Sequence, residues 1–337
     1  MSNQFNNQSA IPEISIDIGY SSSKILFNNQ YSKIATAISF ANDAGIDFGE
    51  SSIYQFEGKR YFVGAAATEE SFTTTNYKFL YDYSPMIVFH ILKKLGIEGD
   101  VRLKTGLALT DWGKRDEITT RLNTINIGIK NPDNHLAMLD LVVNTNCKVV
   151  GPQGSGAYVS YISYLHMLHN KKIKDAIIPV DQLVEIPKSL IILDIGYRTI
   201  NFLYYENGKA NQAKMKGFPG HGVVSIMKTF SSYLESTYGM PFSEQEALQI
   251  FLNNEFIMDG EKQLNIPPMV TELKSNFVQK LINSVLVSEV KLLRTSEAVL
   301  ISGGGAYYLE GVLNMKNVVF GQKPYEFANV YGYSLMD

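Results

Sequence analysis

A two-domain α/β protein with a ligand cleft between its halves is what this sequence predicts. Three observations carry the prediction: a length of 337 residues, a hairpin-like segment that occurs twice, and a glycine-rich turn between a strand and a helix near the C-terminus. Single hydrophobic cores stop growing at about 250–300 residues, so a chain this long is expected to divide into two domains of about 150 residues each. With 45% hydrophobic and 19% charged residues, the composition is that of a globular protein able to fill both cores.

The charge balance narrows the function. Thirty basic and 33 acidic residues are interspersed, giving a net charge of −3, and no extended basic stripe for direct nucleic-acid binding is present. "KKIK" at 171–174 is the densest basic run and reads as a solvated helix end. Cys147 is the only cysteine, which excludes an internal disulfide and a cysteine-rich zinc site, and the five histidines show no ligand spacing. The opening "MSNQFNNQSA" lacks the basic and apolar segments of a secretory signal and is expected to be a frayed tail. No apolar run approaches the ~20 residues that span a bilayer, so a cytoplasmic location without membrane attachment is expected.

The first element is the repeat. "ISIDIGYSSSKILF" at 14–27 and "LIILDIGYRTINFLYY" at 190–205 each run from β-forming residues into Asp-Ile-Gly-Tyr and out into another β-forming stretch, which predicts a hairpin with a polar turn. Gly19 and Gly196 permit positive φ and let the backbone come close to something. Ser21, Ser22 and Ser23 in one turn, and Thr199 in the other, add hydroxyls to backbone N–H groups, a combination suited to phosphate. An aspartate beside phosphate makes sense only with a divalent cation between the two anions. Asp17 and Asp194, 177 residues apart, could hold the water shell of one Mg²⁺ from opposite sides, with Lys24 supplying a positive charge. One Asp-Gly turn would be ordinary; two matched copies indicate duplication.

Between the copies, "VVGPQGSGAYVSYISYLHML" at 149–168 moves from strand through turn into an amphipathic helix. Gln153 stands at its entrance; an amide there can orient a water but cannot act as a base. "KGFPGHGVVSIMKTF" at 216–230 places Gly220 and Gly222 before another helix, a position able to receive ribose or phosphate, and His221 reads as incidental. In "AVLISGGGAYYLEGVL" at 298–313 a strand meets Gly303, Gly304 and Gly305, followed by a helical pattern with Tyr308, Leu309 and Val312 on one side. A dinucleotide fingerprint is opposed by Tyr308 where a third small residue is needed, so a base or ribose lying against the glycines is the better reading.

This ordered set resembles the actin-like ATPases, and within them the plasmid-segregation group typified by ParM (the StbA family). "DIGYSSSK", "GPQGSGAY", "DIGYRT" and "LISGGGAYYL" look like the family's two phosphate loops, its first connecting segment and its adenosine motif. "EGKRYFVGAAA" at 57–67, "TGLALTDWGKRDEI" at 105–118 and "FANVYGYSLM" at 327–336 are similar to that subgroup in particular.

The resemblance implies two ribonuclease-H-like domains of the actin, chaperone and sugar-kinase superfold: residues 1–160 plus about 322–337 in domain I and 161–321 in domain II. It implies ATP or GTP with Mg²⁺ in the cleft. Asp17 and Asp194 would hold the hydrated metal, and Gln153 would position the attacking water. Gly19, Ser21, Ser22, Lys24, Gly196, Tyr197 and Thr199 would bind phosphate, while Gly220, Gly222, Gly303, Gly304, Gly305 and Tyr307 would approach ribose and base. The implied function is a polar homopolymer driven by ATP hydrolysis, reaching DNA only through a centromere-binding adaptor protein. The second phosphate loop departs from the family pattern, with Arg198 in the turn and Asn201 in a usually acidic place. Two other functions stay open: a small-molecule kinase, for which Asp111 could be nominated as base although a surface turn explains it better, and a nucleotide-switched regulator that forms no filament.

Overall fold

Both predicted hairpins are present in the computed structural model, which describes residues 11–41, 53–68, 71–72, 76–130, 138–174, 185–253, 255–263 and 267–337. The tail at 1–10 lies outside the described residues. In the first half β1 (Glu13–Ile18) pairs antiparallel with β2 (Ser22–Phe27), placing Asp17 opposite Lys24. In the second, β11 (Ser189–Ile195) pairs with β12 (Thr199–Glu206), placing Asp194 opposite Asn201. Neither Gly19 nor Gly196 uses the positive φ open to a glycine. Their requirement is space: a Cβ on Gly19 would lie 2.7 Å from the Ser22 carbonyl oxygen, and one on Gly196 would lie 3.2 Å from that of Thr199.

Each hairpin nucleates a sheet. The first adds β3 (Gln30–Ala35), β7 (Arg102–Leu107) and β10 (Lys148–Pro152) in the order β10-β7-β1-β2-β3, with β7 parallel to β1. Asn28 and Asn29, at φ 49° and 59°, form a two-residue turn of the kind whose twist matches paired strands, and this fixes β3 against β2. The second sheet takes β13 (Lys209–Ala210), β17 (Ala298–Ser302) and β18 (Val318–Phe320) in the order β13-β12-β11-β17-β18, and β14 (Lys216–Pro219) also pairs with β12. Residues of β11 and β12 are almost all buried, as their unbroken apolar runs require of central strands covered on both faces.

A separate five-stranded sheet is built from β4 (Ile38–Phe40), β5 (Ile53–Phe56), β6 (Lys59–Val63), β8 (Thr124–Lys130) and β9 (Met138–Asn144). A short hairpin joins β15 (Phe256–Met258) to β16 (Glu261–Gln263). The helices are α1 (Tyr77–Lys94), α2 (Arg115–Asn123), α3 (Ser155–Lys174), α4 (Val224–Tyr238), α5 (Glu244–Asn253), α6 (Pro267–Lys280), α7 (Val290–Thr295), α8 (Ala306–Leu309) and α9 (Ala328–Ser334). One core lies around β1, β7 and α1; another covers β11, β12 and β17 with α4, α5 and α6; a third fills the space between α3 and the opposite face of that second sheet. "KKIK" closes α3. The helix after the triple glycine ends at Leu309, so Val312, 37% exposed, does not share the buried side occupied by Tyr308 and Leu309. No helix among the described residues is long and apolar enough to cross a membrane.

The C-terminal α9 returns to the first half, packing on α3, β1, β2 and β7. Its fully buried Tyr333 lies against Gly106, where any side chain would collide with the phenol.

Candidate nucleotide site

The two Asp-Ile-Gly-Tyr turns open onto one shared cavity. Ser21, Ser22 and Lys24 line it from the first hairpin, Gly196 and Tyr197 from the second, and Gly304 and Tyr307 from the β17–α8 segment. Seven predicted positions, far apart in sequence, therefore share one wall. Tyr308, read from sequence only as part of a helical face, lines it as well, and so do Lys33, Val223, Leu248 and Glu326, which were not singled out from sequence.

Behind this cavity stand the two aspartates, both buried at the ends of adjoining turns: Asp17 is 6% exposed and Asp194 is 4% exposed. Gln153 Nε2 donates to Asp17 Oδ1 at 2.8 Å, and its backbone N–H donates to the Leu107 carbonyl, so the amide is anchored on the first sheet. Asp194 Oδ2 accepts from Asn329 Nδ2 at 3.2 Å and from Asn201 Nδ2 at 3.5 Å. Burial raises the Asp194 carboxyl to about 6, with the nearby Asp17 charge pushing the same way and the two amides and Lys24 opposing. Burial also holds the Lys24 ammonium below the usual lysine range, against the pull of Asp17. Lys24 Nζ donates to the Ser22 carbonyl at 2.9 Å and so stays folded over its own turn.

Asn329 is the residue that sequence reasoning missed most completely. Its Oδ1 accepts from the Gly154 and Ala157 N–H groups at 2.9 and 3.2 Å, capping the start of α3, while its Nδ2 holds Asp194. One side chain from α9 thereby ties the connector helix to the second aspartate. Asn201 does a similar job from β12: its Oδ1 accepts from the Leu109 N–H at 3.0 Å, joining Asp194 to the 3-10 turn Leu109–Lys114 of the first half.

The remaining predicted glycines serve the frame of the site. Gly303, at φ 79°, lets the backbone pass so close to Asp194 that a Cβ would sit 2.6 Å from Oδ1, and the Gly305 N–H donates to the Ile195 carbonyl at 2.7 Å. Gly222 packs against the second turn, with room for no side chain 2.5 Å from the Gly196 carbonyl oxygen. The N–H groups of Gly222, Val223 and Val224 donate to the carbonyls of Arg198, Gly196 and Tyr197, so the start of α4 is capped by the turn itself. Gly220 is exposed, and Val223 stands at the cavity wall in its place. Thr199 is buried, and its carbonyl receives the Gly196 N–H at 2.8 Å. Ser23 is turned away and shares a hydrogen bond with Thr36 at 2.9 Å. His221 is exposed.

Asp111 lies in the 3-10 turn Leu109–Lys114, in which no residue is fully buried, in keeping with the surface turn expected of it. Its side chain is 15% exposed, 3.9 Å from Lys114, and burial raises its carboxyl, with Lys114 and Arg198 among the groups that oppose. It does not line the cavity.

A model of the actin-like proteins' N-terminal domain matches residues 15–156, and a model of the archaeal actin homologue MreB-like C-terminal domain matches residues 192–315. No curated protein sequence matches the chain. Among solved structures, a non-polymerisable quadruple mutant of pCBH ParM is similar at 19% identity with a TM-score of 0.70, covering 96% of this chain and 97% of its own. A 15-stranded ParM filament from Clostridium botulinum is similar at 17% identity with a TM-score of 0.69, covering 96% of this chain and 97% of its own. An archaeal actin homolog in complex with ADP is similar at 14% identity with a TM-score of 0.69, covering 96% of this chain and 98% of its own. With both halves matched to actin-type domains and nearly the whole chain following the actin-like fold, this chain belongs to the actin-like proteins.

Proposed function

We propose that this protein is a nucleotide-dependent, filament-forming ATPase that hydrolyses ATP to ADP and phosphate and moves or holds DNA through a centromere-binding adaptor. The observation that carries the reading is the convergence of Asp17 and Asp194 behind one cavity, with the Gln153 amide bonded to Asp17. The solved relative with ADP supports a nucleotide in such a cleft, and the Clostridium ParM filament supports self-association.

The donor set suits a hydrated Mg²⁺. Asp17 and Asp194 are buried carboxylates that repel one another; the Lys24 charge opposes that repulsion, and an added cation would relieve it further. No group of three or more His, Cys, Asp or Glu side chains that could hold a metal occurs among the described residues, so water and phosphate oxygens would complete the shell, as Mg²⁺ tolerates well. When bound, the ion would neutralise charge developing on the phosphates. Ser21, Ser22 and Gly196 would surround the phosphates, Lys24 would offer its ammonium, and Tyr307 and Tyr308 would flank the nucleoside end. With Nε2 spent on Asp17, the Gln153 carbonyl is left to orient a water without taking its proton. The kinase alternative gains nothing, because Asp111, the base it would need, does not line the cavity.

Right-angle light scattering and pelleting with ATP, a non-hydrolysable analogue or ADP, each with Mg²⁺, test the proposal. Polymer is expected with ATP, and Gln153→Ala should slow hydrolysis by about 10–100-fold while prolonging the polymer. No polymer in any nucleotide at saturating concentration would overturn the filament reading.

A further inference from the structure

The antiparallel registers of the first sheet make a row. Asp17 on β1 faces Lys24 on β2, and Lys24 faces Lys33 on β3. Directly opposed residues lie on the same side of a sheet, so all three side chains project toward the cleft. Lys33 lines the same cavity as Ser21, Ser22, Gly196 and Gly304. Its side chain is 50% exposed, whereas Lys24 is folded back on the Ser22 carbonyl. Of the two lysines, Lys33 has the freer ammonium.

Its partner is unusual in position. Lys33 Nζ is 3.7 Å from Glu326 Oε1, beyond hydrogen-bond length, while the other oxygen of Glu326 accepts from Tyr307 Oη at 2.8 Å. Glu326 is only 15% exposed and lies in the 3-10 turn Tyr325–Phe327 that leads into α9. Its carboxylate thus stands at the cavity wall between a cation on β3 and a phenol on α8. A loose, half-solvated ion pair contributes little stability and is readily exchanged. An anionic polyphosphate entering this cavity meets a cation held by a weak competitor.

We propose that Lys33 is a nucleotide-binding residue that exchanges Glu326 for a phosphate oxygen when nucleoside di- or triphosphate enters, with Tyr307 retaining Glu326 at the wall. This rests on the nucleotide reading above and adds a second cation to the one the phosphate-loop motif supplies. In the free protein Glu326 acts as a stand-in anion, so the two side chains should have opposite effects on affinity. Lys33 contributes to binding; Glu326 competes with it.

Calorimetric titration of ATP, ADP and adenosine into wild type, Lys33→Met, Lys33→Arg, Glu326→Gln and the double variant tests the exchange. Lys33→Met should weaken ATP and ADP by about tenfold and leave adenosine unchanged, because only the phosphates lose a charge-assisted contact. Its affinity should also fall less steeply with salt. Lys33→Arg should keep most of the affinity, Glu326→Gln should bind ATP several-fold tighter, and the double variant should follow Lys33→Met. Equal ATP affinity for Lys33→Met and wild type overturns the proposal while leaving the nucleotide site standing. So does a Glu326→Gln loss as large as that of Lys33→Met. Wild type that binds neither ATP nor ADP overturns the nucleotide reading and this inference together. Thermal melts of each variant separate lost contacts from lost folding.

Discussion

The two hairpins share a backbone and differ in where charge is placed. Across the first sheet the row through the aspartate reads Asp17, Lys24, Lys33; across the second it reads Asp194, Asn201, Gly217. The first aspartate has an ammonium opposite it. The second has an amide and then no side chain at all. Both turns are tight for the same steric reason, and both aspartates end buried strands. Burial and the Asp17 charge push the Asp194 carboxyl up to about 6, with the two amides and Lys24 opposing. The two hairpins thus share a geometry, and the cations lie on the row of the first half.

The largest test of this asymmetry is Asp194→Asn. A carboxyl whose folded value is raised from 3.8 to about 6 favours the native state fully below 3.8, and that contribution is lost as pH rises through about 6. The difference corresponds to roughly 3 kcal/mol, at 1.36 kcal/mol per unit. Asn carries no charge to desolvate. Without nucleotide, Asp194→Asn should therefore be more stable than wild type by up to about 3 kcal/mol in urea melts at pH 7.5, and the gap should narrow at pH 5. Its ATP hydrolysis should nonetheless fall by about 10²–10³-fold, since a preorganised charge at the reacting phosphate is gone. A variant that is no more stable at pH 7.5 would contradict the assignment of strain to this carboxyl. By the same sign, Mg²⁺-nucleotide affinity in wild type should weaken as pH drops through about 6, because a proton then competes for Asp194.

Much of this site is legible in the chain, for a local reason. Strand, turn and strand within about 14 residues place Asp17, Ser21, Ser22 and Lys24 without help from the rest of the molecule, and the same holds for Asp194, Gly196 and Tyr197. Lys33 was within reach: a two-residue Asn28-Asn29 turn pairs Phe27 with Gln30, and counting outward pairs Lys24 with Lys33. Glu326 and Asn329 were not. They reach the cleft because the C-terminal segment folds back over α3 and β1, and no short-range pattern encodes which side chain that return delivers. Gly222, Gly303 and Gly305 carried a real signal, close approach, but the approaching group proved to be the protein's own turn or strand. A glycine in sequence says that something is near without saying what.

Asn201→Asp sharpens the comparison by restoring an acid where the second row is neutral. The new carboxylate could still accept from the Leu109 N–H, but it would face Asp194 in a buried place and lose the N–H that Asn201 now donates. Destabilisation of about 1–3 kcal/mol at pH 7.5 is expected, diminishing at pH 5 as the pair takes up a proton. Denaturant midpoints at the two pH values measure it. A variant as stable as wild type at both would mean that the second row tolerates charge and that its neutrality is incidental.

The smallest expected effect belongs to Arg198, the turn residue that most distinguishes the second hairpin from the first. Its guanidinium lies 5.6 Å from the centroid of Tyr20, the tyrosine of the first Asp-Ile-Gly-Tyr turn, and its charge is felt by Asp111. It does not line the nucleotide cavity. One turn thus reaches across to the other through a cation on an aromatic face, a contact worth about 0.5–1 kcal/mol where partly solvated. Arg198→Gln should cost no more than that in stability. Because the contact joins the halves rather than holding ligand, its effect on ATP affinity should stay within about threefold, the same energy expressed as binding. A loss of tenfold or more with unchanged stability would move Arg198 to the phosphates and return a cation to the second side of the cleft. The row of neutral residues beside Asp194 would then be offset by the turn above it, and the asymmetry between the hairpins would be one of position rather than of charge.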